Sequence, residues 1–253
     1  MSDERLHSHQ PSPWLGEHLH RYQVAQSYIK PNMRILDIAT GEGYGAAMLA
    51  QANPTTRVTG ADAEQASVDQ CKRRYAKAAN LNFQLEDATK LSFADNTFDL
   101  VVSFETLEHV PDYAAMLREL NRVLKPDGLL LLSTPNFPIN SPTGKILNPY
   151  HVKEFTLAEM AQILPVALDN VQIMGQQYAR WHKRKGLGRA LGQAAERLLY
   201  LRGIRKLPLG LRNAVAGLFG TPHYPVPQDF RIVPEREAVA KCKTFFVTAQ
   251  KKG

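Results

Sequence analysis

Four side chains able to move a proton or hold a metal ion stand close in the chain: Glu105, Glu108 and His109 in the run SFETLEHVPD, and His151 further on in NPYHVKEFT. Residues three and four apart share one side of a helical segment, so Glu105, Glu108 and His109 face one way if the run is helical. Two carboxylates and two imidazoles can build a divalent metal site, and mixed nitrogen and oxygen ligands suit Mn or Zn better than Mg, which prefers oxygen. Without a metal, His109 or His151 can serve as a general base toward a hydroxyl, a poor nucleophile until its proton is drawn off. A structural reading stands beside these, in which the glutamates complement a helix N-terminus before Pro111, His109 packs and His151 belongs to a loop.

The elements that must position these groups also carry acidic ends. ILDIATGEGYG, from Ile35 to Gly45, reads as an apolar strand ending in Asp37, a turn holding Gly41 and Gly43, and the start of a helix. Glycine lets a ligand approach the backbone, and the helix points free N–H groups and its positive dipole end at that ligand. Asp37 and Glu42 would repel a pyrophosphate, and the GxGxG spacing departs from the dinucleotide fingerprint, which points away from NAD. The strand-like RVTGA ends in Asp62, placed to accept hydrogen bonds from a ribose diol. A third apolar segment, Leu81 to Leu85, runs into Glu86, Asp87 and Ala88, and a fourth, Phe98 to Ser103, leads to Glu105. Helical spacing fills Glu64 to Ala79, Pro111 opens a second helix reaching Leu124, and Lys125 to Gly128 turns into the strand LLLLST. Strands alternating with helices predict an α/β fold with a doubly wound, mostly parallel sheet. Its ligands bind beyond the carboxyl ends of the strands, where Asp37, Asp62, Asp87 and Glu105 gather.

In combination these motifs resemble the class I S-adenosylmethionine-dependent methyltransferases, over roughly residues 16 to 178 and the last dozen. The resemblance implies a seven-stranded sheet whose last strand, Lys243 to Gln250, is antiparallel. It implies S-adenosyl-L-methionine as cofactor, with Gly41 and Gly43 lining the methionine end and Asp37 fixing the amino group. Asp62 would take the ribose hydroxyls, Asp87 the adenine amine, Ala88 the ring and Ser103 a place in the same pocket. Family members usually have glycine where this chain has Ala39, a small departure that leaves the cofactor assignment in place. The ExxEH run followed by a histidine is similar to the metal-ligand set of small-RNA terminal ribose 2′-O-methyltransferases, and ExxEH alone to that of ubiquinone-pathway O-methyltransferases. The segment Glu17 to Ile29, with GEGYG, STPN and NPYHVKEFT, is similar to bacterial methyltransferases of polysaccharide and glycolipid assembly. That likeness implies that Arg21 and Tyr22 close the cofactor pocket and that a sugar or lipid-linked glycan hydroxyl is the acceptor. An RNA ribose or a quinone ring is the alternative.

The 253 residues suffice for one large α/β core with an elaboration, expected as a methyltransferase domain over 1–178 plus 241–253 and a helical cap over 179–240. The net charge of +7 is unevenly spread: Arg180 to Arg212 holds ten Lys or Arg against Glu196 alone, +9, which leaves −2 elsewhere. Leu187, Leu191, Ala194, Ala195, Leu198 and Leu199 fall on one helical face of this insertion. It reads as a solvated cap, as a basic amphipathic helix on an anionic membrane through 180–220, or, less favoured, as a nucleic-acid contact. MSDERLHSHQPSP has no apolar signal core and no stretch approaches a membrane span, so a cytoplasmic location is expected, with peripheral contact at the inner face of the membrane. Cys71 and Cys242 are isolated and read as reduced, inert thiols.

Overall fold

The computed structural model describes residues 12, 14–178 and 225–253. The basic insertion's expected helices and membrane contact, 180–220, lie outside the described residues. Helix α1 (Leu15–Gln26) leads into β1 (Arg34–Ile38), α2 (Tyr44–Ala52), β2 (Arg57–Asp62), α3 (Gln65–Arg74) and β3 (Leu81–Leu85). After β4 (Phe98–Phe104) comes a single 3₁₀ turn, Leu107–His109, then α4 (Tyr113–Val123) and β5 (Leu124–Pro135). The one-turn α5 (Phe137–Asn140), α6 (Leu157–Ala167), β6 (Leu168–Tyr178), β7 (Phe230–Val233) and β8 (Thr244–Lys251) follow.

The strands form one sheet in the order β3-β2-β1-β4-β5-β8-β6-β7. The first five in that order are parallel, β8 runs antiparallel between β5 and β6, and β7 pairs antiparallel with β6 at the edge. The doubly wound fold expected from sequence is thus present, with eight strands instead of seven. The extra strand comes from FRIV, inside the segment assigned to the cap. Pro225, Pro227 and Pro234 crowd this four-residue run, and proline confines such a strand to an edge, where its sequence signal is weak.

Successive strand residues point to opposite faces, and both faces are buried. Leu36, Val101, Leu130, Leu132 and Phe245 pack on α4 and α6, while Ile35, Val102, Leu131 and Phe246 pack on α1, α2 and α3. Helix α4 starts where Asp112 accepts a hydrogen bond from Ala115 N (2.8 Å), and it buries Met116, Leu117, Leu120 and Val123. Helix α6 starts with a capping box in which Thr156 and Glu159 bond each other's backbone N–H groups. The expected helix to Ala79 ends at Arg74, and the expected KPDG turn lies within the span of β5, where the register jumps from Phe98↔Leu124 to Leu100↔Leu129. The buried Asn136 of STPN donates its Nδ2 to the carbonyls of Ala240 (3.2 Å) and Cys242 (2.8 Å), tying the end of β5 to the approach of β8.

Candidate functional site

Helix α1 lies across the glycine turn because glycine at 45 leaves room for it. A β-carbon there would stand 1.9 Å from Cζ of Tyr22. Tyr22 so placed donates its hydroxyl to Oδ1 of Asp37 (3.0 Å), and Thr40 donates its own to Oδ2 (2.6 Å). Asp37 is fully buried, and burial lifts its pKa from 3.8 to about 7 despite both hydroxyls. The turn itself is held by Asp62, whose Oδ2 accepts from Gly41 N (2.9 Å) and Oδ1 from Glu64 N (3.0 Å). Gly41 and Gly43 have φ of 56° and 74°, and a β-carbon on Gly41 would meet nothing within 4 Å, so the turn opens onto space. Ala39 also has a left-handed φ, 59°, which explains why glycine is at ease at this position.

Arg21 is completely buried beside this turn. Its Nη1 donates to Oε1 of Gln176 on β6, whose Nε2 reaches the carbonyl of Glu17 (2.8 Å) and Nδ1 of His20 (2.9 Å). Nη2 lies 3.7 Å from Oε1 of Glu105, and neither Nη2 nor Nε has a hydrogen-bond partner. The positive charge and burial hold His20 down to about 4 and His18 well below its ordinary value, burial being the larger cause for both. Orphaned buried guanidinium donors next to an open glycine turn fit the α-carboxylate of an amino-acid-like ligand.

On the far side of β4, Glu105 has a strained φ of 52° and turns back toward Arg21, accepting from Ser133 Oγ at its Oε1 (2.7 Å). The side chains of Glu108, His109 and His151 come together instead, with one potential ligand atom of each within 4.8 Å of the others. The expected four-membered set thus contracts to three, because Glu105, two residues ahead of the 3₁₀ turn, has a left-handed backbone that turns its side chain toward Arg21. Glu108 is buried with Oε2 accepting from Thr134 Oγ1 (2.8 Å) and Oε1 lacking a hydrogen-bond partner. Burial, then the charge of Glu105, raises its pKa to about 8. Two backbone bonds lock the turn to the histidine loop: the Glu108 carbonyl accepts from Val152 N (2.8 Å) and Lys153 N (3.1 Å).

Of the other expected residues, Ser103 is buried at the end of β4 with its hydroxyl unpartnered. Exposed Asp87 bends back onto Thr89 (2.7 Å to Oγ1), which lowers its pKa, and Ala88 is partly buried against the core. Cys71 and Cys242 are buried thiols, both pushed up to about 11 by burial. Reading the sequence alone passed over Thr40, Ser133, Gln176 and Glu154. Thr40, Ser133 and Glu154 lie within the runs ILDIATGEGYG, STPN and NPYHVKEFT and were open to notice; Gln176 reaches the site from a distant strand.

This sheet order, with its acidic strand ends and glycine turn at one edge, defines the class I methyltransferase fold. Residues 36–132 match the protein family described as a methyltransferase domain. A protein of Mycolicibacterium smegmatis bearing the name of an S-adenosylmethionine-dependent methyltransferase is 36% identical over 134 residues, which are 53% of this chain and 50% of that protein. A ubiquinone/menaquinone biosynthesis C-methyltransferase of Desulfotalea psychrophila is 36% identical over 132 residues, 51% of each chain. The chain spans about half the length of these curated relatives. Among solved structures, the YcgJ protein of Bacillus subtilis superposes with a TM-score of 0.60 at 21% identity, covering 93% of this chain and 100% of that one. Phosphoethanolamine N-methyltransferase 2 of Haemonchus contortus, solved in complex with S-adenosyl-L-methionine, gives 0.59 at 18% identity, covering 96% and 54%. Over residues 36–132 the chain thus matches a methyltransferase domain, and its sheet has the class I methyltransferase order.

Proposed function

We propose that the protein transfers the methyl group of S-adenosyl-L-methionine to a hydroxyl on a sugar, polysaccharide or lipid-linked glycan. The observation that supports this reading is the presence of two unlike half-sites at the carboxyl ends of the strands: a glycine turn beside a buried arginine with two nitrogens lacking hydrogen bonds, and a carboxylate with two imidazoles. Bound there, the cofactor supplies a methyl group already activated by its sulfonium. Arg21 holds its carboxylate, Asp37 its amino group through the turn, and Asp62 its ribose, while Gly41 gives it backbone room. The Glu108, His109 and His151 cluster places the acceptor hydroxyl and eases removal of its proton, and alignment of that oxygen with the methyl supplies much of the rate.

A lipid-linked acceptor is supported by the loop that presents His151. Ile146, Leu147, Tyr150 and Val152 are exposed on it, from 36% to 55%, and offer apolar surface beside the polar cluster. The basic segment 180–220 adds charge suited to an anionic membrane, a peripheral contact proposed from its composition. Among the described residues, no helix is long and apolar enough to cross a membrane. A quinone ring is the second reading, favoured by the Desulfotalea relative. Assaying purified protein with labelled cofactor against lipid extract, polysaccharide, demethylated quinone and short RNA decides between them. Label in the glycan or lipid arm is expected. Label in the quinone or RNA arm alone would replace the acceptor, and failure of the protein to bind cofactor by calorimetry would remove the enzyme.

A further inference from the structure

We propose that the amino ends of β1, β2 and β3 form a second ligand site, for a soluble phosphate monoester with a hydroxyl-rich body such as a sugar phosphate. The site begins with what the chain leaves out. Parallel strands are usually joined by a crossover helix, but β3 returns to β4 through residues 86–97, which hold none. That connection seats Leu91 and Phe93 against the core on the side of α4 and α6. The opposite face of β2 and β3 is covered, with Val58 and Phe83 packed under α2 and α3. What the short connection leaves uncovered is a cleft of about 640 Å³, bounded by Arg34, Arg57, Thr59, Asn82 and Gln84 and by the edge-to-face pair Phe93 and Phe98. Its size is that of a small-molecule site.

The strand register decides which side chains face the cleft. Arg34 pairs with Arg57 and Leu36 with Thr59 across β1 and β2, and Thr59 pairs with Asn82 across β2 and β3. Register partners and alternate residues along a strand share a face, so the two arginines rise side by side on strands about 4.8 Å apart. Arg34 is held over the ring of Phe98, its Cζ 5.8 Å from the centroid. The carboxylates on the adjoining segments already have partners. Asp99 takes Lys125 Nζ (2.8 Å to each oxygen) and the backbone N–H of Arg34 (2.8 Å), and Asp95 takes Arg122 (2.8 Å). Among the described residues neither Arg34 nor Arg57 has an acidic partner, so the mouth of the cleft carries two positive charges. Two adjacent guanidinium forks match the oxygens of a phosphate. Below them Thr59, Asn82 and Gln84 offer a hydroxyl and two amides that make no side-chain hydrogen bond among the described residues. Such a floor suits sugar hydroxyls and not an acyl chain.

The cleft lies at the strand ends opposite the glycine turn. Asp37 is three positions along β1 from Arg34, and Asp62 five along β2 from Arg57, roughly 10 and 16 Å. A ligand there takes no part in the transfer of a methyl group, and the inference stands whichever acceptor is used. Calorimetry on the full chain, with S-adenosylhomocysteine present to fill the cofactor turn, is expected to show one glucose 1-phosphate or ribose 5-phosphate bound per chain. Binding should weaken as salt is raised, and glucose should not bind. Arg34→Gln and Arg57→Gln should each weaken it about tenfold or more, while Lys72→Gln, on α3, leaves it unchanged. Thr59→Val and Asn82→Ala should bring the sugar phosphates down toward the affinity of inorganic phosphate. Both arginines are exposed, so their variants should fold, which circular dichroism checks. Absence of saturable binding by folded protein, or equal affinity in the two arginine variants, would overturn the site. Equal affinity of the parent for inorganic phosphate and the sugar phosphates would overturn the ligand class. Displacement of S-adenosylhomocysteine by the sugar phosphates would overturn the location, by placing them in the cofactor turn.

Discussion

The buried guanidinium of Arg21 donates to Gln176 and faces Glu105 at 3.7 Å, yet two of its nitrogens lack a hydrogen bond, and an anion that supplied one would offset part of its solvation cost. Replacing Arg21 by Met keeps the volume and removes the charge. The variant leaves Gln176 Oε1 without its donor and is expected to melt slightly lower than the parent but to fold, and to bind cofactor with a Kd raised ten- to a hundredfold, about the 1.5–3 kcal/mol of a charged hydrogen bond. Calorimetry with S-adenosylhomocysteine, which keeps the carboxylate, checks this, and an unchanged Kd would free Arg21 for another role. Asp37 offers a test by pH. Its pKa is near 7 when folded and 3.8 otherwise, so between those values the folded form binds more protons. Its contribution is then fully favourable below about pH 4 and declines as pH rises to about 7, by up to about 1.4 kcal/mol per unit. Cofactor-free protein should therefore lose melting temperature between about pH 5 and pH 8, with the slope flattened in Asp37→Asn. A bound amino group favours the ionised carboxylate, so the thermal shift on adding cofactor should be larger at pH 8.

Helix α1 gives the glycine turn its roof, and the fit depends on a missing side chain on α2. Gly45→Ala would force the new methyl into the ring of Tyr22. Because that ring also bonds Asp37, α1 has to lift or the tyrosine to swing away. The variant should lose about 2 kcal/mol in urea unfolding, as overpacked cores do, and bind cofactor more weakly through the lost Tyr22 contact. Normal stability and normal binding together would mean that α1 does not seat as described. The elements themselves were largely legible, since Ile35 to Asp37, Phe98 to Ser103 and Phe245 to Val247 announce strands by apolar runs, and the α4 stripe of Met116, Leu117, Leu120 and Val123 announces a helix. What escaped reading was non-local. No pattern in a single segment reports that Gln176 on β6 will receive Arg21 from α1, 155 positions away, or that FRIV will find the sheet edge. The ExxEH run shows the same limit: helical spacing placed Glu105 with Glu108, whereas a left-handed residue before a single 3₁₀ turn parts them.

At the scale of the whole molecule the charges are segregated. The segment from Arg180 to Arg212 carries +9, and the remainder, with its acidic strand ends, sums to −2. Uniform repulsion from anionic surfaces is therefore not expected; the proposed membrane contact would draw on the basic segment while the glycine turn keeps its acidic neighbours Asp37, Glu42 and Asp62. The exposed apolar loop of Ile146 to Val152 sits next to the histidine cluster, so an acceptor whose lipid lies in a bilayer could present its hydroxyl there. Attraction of this kind is worth about 1 kcal/mol per basic residue near the surface and decays within a Debye length, about 8 Å at physiological salt. The protein should co-sediment with vesicles containing phosphatidylserine, less with neutral ones, and progressively less as salt is raised from about 50 to 500 mM. Neutralising Arg184, Lys185, Arg189 and Arg205 together should remove most of the pelleting while leaving cofactor affinity unchanged, since none of the four belongs to the pocket described. Equal pelleting by this variant would assign the surface contact to some other part of the chain, and pelleting indifferent to salt would make it apolar instead of electrostatic.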